Sequence, residues 1–258
     1  MDNSQLTTFD LLIEAHIGLE RQGPGSHEMT AKALSFLDID GISRTADLGC
    51  GTGCQAMTLA RHIHGSIVCL DQIPSFIAAV NDNAKNHNLQ DRICGIVGLM
   101  EALPFQKGEL DLIWSEGAVD AIGFEHGLPL WNYHLRLNGY ICISCPCWFT
   151  EEHPAELEKF WSDAGVRLNT IEQNISSMKK SGFVPIAMFI LPEECWVDNY
   201  YTPRTDAQKV LVEKYAYSKT VVDYIEHDKH EVELYTKYKH IYGYAFFIGK
   251  KCRVTNRA

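Results

Sequence analysis

No stretch of the chain is apolar for long enough to cross a membrane; the longest, such as residues 184–191, fall far short of the roughly 20 residues a bilayer requires. The opening residues MDNSQLTTFD have neither the basic start nor the apolar run of a secretory leader. A cytoplasmic protein without membrane contact is therefore expected. Basic charge is also scarce: 23 Lys and Arg stand against 33 Asp and Glu, a net charge of -10. A nucleic-acid partner, which needs a cationic excess to replace counterions, is not expected. No segment combines low hydrophobicity with high charge, so order is expected nearly throughout. The 9 cysteines follow no regular framework, and a chain of 258 residues needs no covalent staples. Free thiols in a reducing compartment follow from this.

What the chain does have is alternation. Residues 6–20 space Phe9, Leu12, Ile13, His16 and Ile17 at helical intervals before the breaker RQGPGS; a second helix starts at Ser26 or His27 and ends near Gly41. RTADLG is a first strand, glycines follow, and CQAMTLARHIH is a helix. SIVCLD, RICGIVGL, LDLIWSE and YICISC read as four more strands, with helices around Phe76–Ala84 and over LWNYHLRL, the latter stopped at Asn138-Gly139. Helices over PAELEKFW and TIEQNISSMKKSGF, then strands VPIAMFIL and YAFFIGKKC, complete the pattern. Between those last two strands, helical patterns at residues 207–217 and 221–238 are too long for a turn and imply an inserted helical cover. Strict βα alternation implies a buried, mostly parallel sheet with ligands at the carboxyl ends of its strands.

The loop Asp47-Leu48-Gly49-Cys50-Gly51-Thr52-Gly53 carries the chemistry. Its glycines let the backbone turn sharply and let a ligand approach the main chain, while the next helix presents its first amides. The dinucleotide fingerprint needs a glycine at the sixth position counted from Gly49, where this chain has Cys54. Asp47, two residues before the first glycine, would repel a pyrophosphate and suit the ammonium of a methionine moiety. S-adenosylmethionine (SAM) offers that cation and no phosphate. Asp71 closes the second strand at the spacing of an acid that bonds ribose hydroxyls.

On these residues the chain resembles the class I SAM-dependent methyltransferases, in particular the small-molecule branch similar to the ubiquinone and menaquinone C-methyltransferases. ADLGCGTG resembles the first motif, CLDQ the acid closing strand two, GLMEALPF the segment after strand three, ELDLIWSEGA strand four, and HLRLNGYICIS the following helix-turn-strand, so that residues 40–147 are covered. The resemblance implies that Gly49, Cys50 and Gly51 contact the methionine part, Asp71 holds the ribose, Gln72 lies beside the adenine, Met100 and Glu101 border the base, and Ser115 and Glu116 face the methyl. Relatives often carry Asp where this chain has Leu99, so an acceptor for the adenine amino group is missing there. ERQGPGS is similar to a loop that closes over the methionine end in some relatives, which would bring Arg21, Gln22 and Gly23 to the cofactor carboxylate; a plain turn is the alternative.

The expected fold is thus α/β: a Rossmann-like doubly wound, mostly parallel seven-stranded sheet with an antiparallel last strand and a helical insertion before it. Residues 1–30 form an N-terminal helix and covering loop, 31–191 the SAM-binding core, 192–243 the insertion and substrate cover, and 244–258 the last strand and tail. Methyl transfer to a small-molecule acceptor needs alignment and exclusion of water more than elaborate machinery. If the acceptor must lose a proton, Glu116 and His126 are the positional candidates. No metal is expected: Cys145 and Cys147, with Cys142 on the opposite strand face, lack a second well-spaced pair, and Cys50 and Cys54 only flank the loop. Trp148, Phe149, Trp196, Tyr200, Tyr201 and Tyr244 are expected as packing, and His153, Arg204 and residues 226–233 as solvated. A homodimer stays open. So do a non-catalytic SAM or nucleoside sensor and a nucleotide-dependent oxidoreductase, because fold alone does not separate them.

Overall fold

Strands covered on both faces must be apolar on both, and this is why the core strands read as unbroken runs. In the computed structural model, which describes residues 6–216 and 218–253, they are β1 (Arg44–Leu48), β2 (Ser66–Asp71), β3 (Ile93–Val97), β4 (Leu110–Glu116) and β5 (Leu135–Trp148). A two-residue β6 (Asn169–Thr170), β7 (Phe183–Ile190) and β8 (Tyr242–Lys251) follow. The order is β3-β2-β1-β4-β5-β8-β7, with β6 beside the end of β5. β1 to β5 pair in parallel, and β8 runs antiparallel between β5 and β7. The seven expected strands are present, and β6 is an eighth.

Helices α1 (Thr8–His16) and α2 (His27–Leu34) precede the sheet; α3 (Cys54–His62), α4 (Pro74–Asn86), α5 (Phe124–His134), α6 (Ala155–Asp163) and α7 (Ile171–Lys180) cross over it. Local chemistry sets several starts: Thr7 and Asp10 form a capping box on α1, Ser26 caps α2, and Thr170 with Gln173 boxes α7. The insertion consists of α8 (Glu194–Trp196), a π-helical turn over Val197–Tyr201, α9 (Thr202–Lys214) and α10 (Lys219–Tyr238). Tyr217, where the first insertion pattern was expected to end, lies outside the described residues.

Two helix boundaries differ from expectation. α2 ends at Leu34, well before Gly41. The segment LWNYHLRL is helical only to His134, because Leu135 already pairs with Leu110 of β4 and Asn138 turns the chain at φ 65°. The helix begins earlier instead, at Phe124, entered through Gly123 at φ 85°.

The sheet separates two apolar layers, one holding Trp114 and Cys142 and the other Cys145 and Cys147, as a strand period of two requires. A third cluster joins Leu11 and Ala15 of α1 to Leu211, Val221, Tyr224 and Ile225 of α9 and α10. The N-terminal helix and the insertion therefore pack as one unit. His16 extends the junction to Tyr200 at 3.1 Å, and the Asn199 amide donates to the Gly25 carbonyl at 2.9 Å.

Arg204 and part of its surroundings correct the sequence reading. Rather than being solvated, its guanidinium is buried, donates to Glu231 at 2.8 Å and to the Tyr200 hydroxyl at 3.1 Å, and faces Asp228 at 3.6 Å. Tyr200, Tyr201 and Trp196 are core, as expected. His153 is half-buried and stacks on Trp148 with ring centroids 4.1 Å apart.

Candidate functional site

Strand order reverses between β1 and β4, which opens a crevice at their carboxyl ends. Both loops that leave those ends meet there. After β1, Gly49 and Gly51 adopt φ of 66° and 54°, and there is no room for a side chain: an added Cβ would stand 2.2 Å from the Ala118 Cβ and 2.2 Å from the Gln22 Oε1, respectively. Glycine is required twice over, by conformation and by space. The Gly51 amide donates to Asp71 Oδ2 at 3.0 Å, and the Ile73 amide to Asp71 Oδ1 at 2.9 Å. Asp71 is thereby fixed at the end of β2, and burial pushes its carboxyl above the usual range.

Asp47 lies beneath the loop, closed to solvent. Gln55 donates from Nε2 to Asp47 Oδ1 at 3.3 Å and to the Cys50 carbonyl at 3.2 Å, while Oδ2 has no partner. Burial raises its carboxyl well above the ordinary range. An orphaned, buried carboxylate oxygen is costly unless a cation or donor completes it.

The N-terminal loop closes the other side. Gln22 Oε1 accepts from the Thr52 amide at 2.9 Å, and its Nε2 donates to the His16 carbonyl at 3.2 Å, clasping the glycine loop to the end of α1. Arg21 donates to Glu116 Oε2 at 2.9 Å and to Thr30 Oγ1 at 3.2 Å. Glu116 Oε1 receives the Thr30 hydroxyl at 2.7 Å and the Trp114 indole at 2.8 Å. Glu116 is thus held by three donors at the end of β4.

The cleft measures about 310 Å³, at the small end of ligand pockets. Of the residues singled out in the sequence, Arg21, Gln22, Gly23, Gly49, Cys50, Gly51, Asp71, Gln72, Met100, Glu101 and Glu116 line it, and Leu99, Ile73 and Phe76 add an apolar wall. Three candidates are not among the lining residues, and Asp47, fully buried beneath the loop, is the first. Ser115 points to the opposite face, buried, its hydroxyl donating to the Leu48 carbonyl at 2.9 Å, because alternation separates it from Glu116. His126 is exposed on the first turn of α5 and does not line the cleft.

Sequence reasoning missed Asp120, in the short 3-10 turn Val119–Ala121 after β4; it lines the cleft, and its Oδ1 is buried without a partner. A lone acid in an irregular segment carries no periodic signal. Among the described residues, ligand-type atoms gather within 4.8 Å at Glu20, His27 and Cys54, not at Cys145 and Cys147. Burial pushes the Cys54 thiol up to about 11, so it is protonated near neutrality.

Residues 46–130 match the model of a family described as a methyltransferase domain. The fold agrees: a SAM-dependent methyltransferase from Geobacter sulfurreducens, crystallised with S-adenosylhomocysteine, superposes with a TM-score of 0.80 at 18% identity, covering 93% of this chain and 97% of that one. Residues 46–130 thus resemble a methyltransferase domain, and the chain shares the fold of a SAM-dependent methyltransferase. The methyl donor of such domains is SAM, and the orphaned Asp47, the glycine cradle and Asp71 fit it. A 4+2 cyclase, SpnF, also shares the fold, with a TM-score of 0.74 at 19% identity over 95% of this chain and 93% of that one. A ribosomal protein L11 methyltransferase from Alteromonas mediterranea is 34% identical over 73 residues, which span 28% of this chain and 25% of that relative.

Proposed function

We propose that this protein is an enzyme that transfers a methyl group from SAM to a small-molecule acceptor. The observation that carries the reading is the orphaned Asp47 oxygen beneath a glycine loop, with Asp71 held ready beside it. When bound, SAM supplies a methyl carbon already activated by its sulfonium. The backbone of Gly49 to Gly51 receives the methionine moiety, Asp47 complements its ammonium, and Asp71 keeps acceptor capacity for the ribose hydroxyls. Gln72, Leu99, Met100 and Glu101 border the base, where Leu99 supplies apolar contact and no acceptor.

The remaining residues align and exclude water. Arg21 and Glu116 neutralise one another and knit the N-terminal loop to β4, so Arg21 acts on the cofactor carboxylate from a fixed position. With three donors engaging its two oxygens, Glu116 serves as a wall of the cleft rather than as a group free to meet the acceptor. The loop from Arg21 to Pro24, which walls the cleft and is tied to the glycine loop by Gln22, favours a small acceptor over a macromolecular one. The neighbouring structures include a geranyl diphosphate C-methyltransferase from Streptomyces coelicolor A3(2), at a TM-score of 0.61 and 16% identity over 86% of this chain and 78% of that one.

Calorimetry with SAM, followed by mass spectrometry of a cell extract incubated with protein and methyl-labelled SAM, tests the reading. Binding and a labelled small product are expected; binding without turnover on a broad metabolite panel would move the protein to the sensor class.

A further inference from the structure

Asp120 has no place in cofactor binding as described, yet it is an acid of the cleft wall with an unpartnered oxygen. It follows β4 by four residues, lines the same cleft as Gly49 and Glu116, and keeps Oδ1 buried with no partner. The groups around it offer no cation. Tyr244 and Cys145 feel its charge, and burial drives both of those groups upward, so they stay neutral. Arg21, the single basic residue of the cleft lining among the described residues, is paired with Glu116 and assigned to the cofactor carboxylate. Of the four carboxylic acids in the lining, Glu116 is paired with Arg21 and Asp71 and Glu101 are assigned to the cofactor, which leaves Asp120. Such a wall repels a phosphate or carboxylate acceptor and attracts a cation or a strong hydrogen-bond donor.

We infer that the acceptor is an amine, and that Asp120 is the catalytic residue that holds its N–H and takes its proton. This rests on the methyltransferase reading and specifies its acceptor. An amine arriving as ammonium gives a first proton to Asp120 and through it to solvent, which frees the nitrogen lone pair. That pair forms the N–C bond as the C–S bond breaks and its electrons remain on sulfur. The second N–H proton then passes to Asp120 Oδ1, leaving a neutral methylated amine. Burial holds the Asp120 carboxyl above the usual range, which makes it a better proton acceptor than a solvated aspartate.

The test uses the full chain with a panel of ethanolamine, sarcosine, benzylamine and spermidine, set against catechol and geranyl diphosphate. Methyl-labelled SAM reports the acceptor atom by NMR, and calorimetry reports amine binding to the protein loaded with S-adenosylhomocysteine, which requires no turnover. N-methyl products are expected, and Asp120→Asn should keep SAM affinity within about twofold, which certifies its fold, while weakening amine binding and lowering kcat by about 100-fold or more. Label on oxygen or carbon, no amine turned over, or an Asp120→Asn protein with wild-type amine binding and kcat overturns the inference while leaving the methyltransferase reading intact. Loss of SAM binding by the wild-type protein would instead remove the reading beneath it.

Discussion

Arg21 and Glu116 each expose less than a tenth of their side chains, so either one alone would be a stranded buried charge. Arg21→Ala should lower stability by about 3–5 kcal/mol. Urea unfolding checks this, and a double substitution Arg21→Met with Glu116→Gln should recover part of the loss; a loss under 1 kcal/mol would mean water reaches the pair. Asp71→Ala should weaken SAM binding by about 1.5–3 kcal/mol through lost charged hydrogen bonds, read by calorimetry, and unchanged affinity would remove Asp71 from the ribose. Asp47 makes a signed pH prediction. Its folded-state carboxyl is raised, so the folded protein holds that proton more tightly than the unfolded chain. The cost of the group is therefore absent below the ordinary carboxylate range and grows as pH climbs toward the raised value. The stability of Asp47→Asn minus that of wild type, without cofactor, should rise from about pH 4.5 to about pH 7.5. A flat difference would show that Asp47 titrates normally.

At the scale of elements, the satellite cluster around Leu11 is separate from the two layers of the sheet, and that separation has a consequence. Leu11→Ala should cost about 2–5 kcal/mol locally by leaving a cavity between α1 and the insertion. Hydrogen exchange should then accelerate over α1, the Arg21 to Gly25 loop, α9 and α10 while β1, β4 and β5 stay protected; uniform acceleration would show that cover and core unfold together. The division also explains what the sequence could say. Core strands and crossover helices were legible because burial on both faces leaves apolar runs, and the glycine loop because its backbone conformations admit little else. The α5–β5 boundary was hidden, since Leu135 is claimed by pairing with Leu110, a contact 25 residues away that local helical spacing cannot report. Ser115 could have been excluded from its neighbour by strand parity alone. Arg204 was misjudged because its partners, Asp228 and Glu231, lie a helix away, and Asp120 because a single acid in a short turn shows its meaning only beside the cleft.

For the whole molecule, the sign of the charge decides between donors. The chain carries a net charge of -10, and its cleft lining repeats that bias with four acids against Arg21. A pyrophosphate would enter against this field and find the glycine loop's neighbouring carboxylates, whereas SAM brings an ammonium and a sulfonium that the field favours. A ligand that binds only the folded state stabilises it by about 2.7 kcal/mol at a hundred times its dissociation constant. For a domain of this size each kcal/mol raises Tm by about 2–4 °C. Saturating SAM should therefore raise Tm by about 5–11 °C, and S-adenosylhomocysteine, which keeps the ammonium and loses only the sulfonium charge, should also raise it. NADH at equal concentration should leave Tm unmoved. A shift with NADH and none with SAM would hand the site to an oxidoreductase, because Asp47 and Asp71 would then have to tolerate the phosphates that their charge opposes.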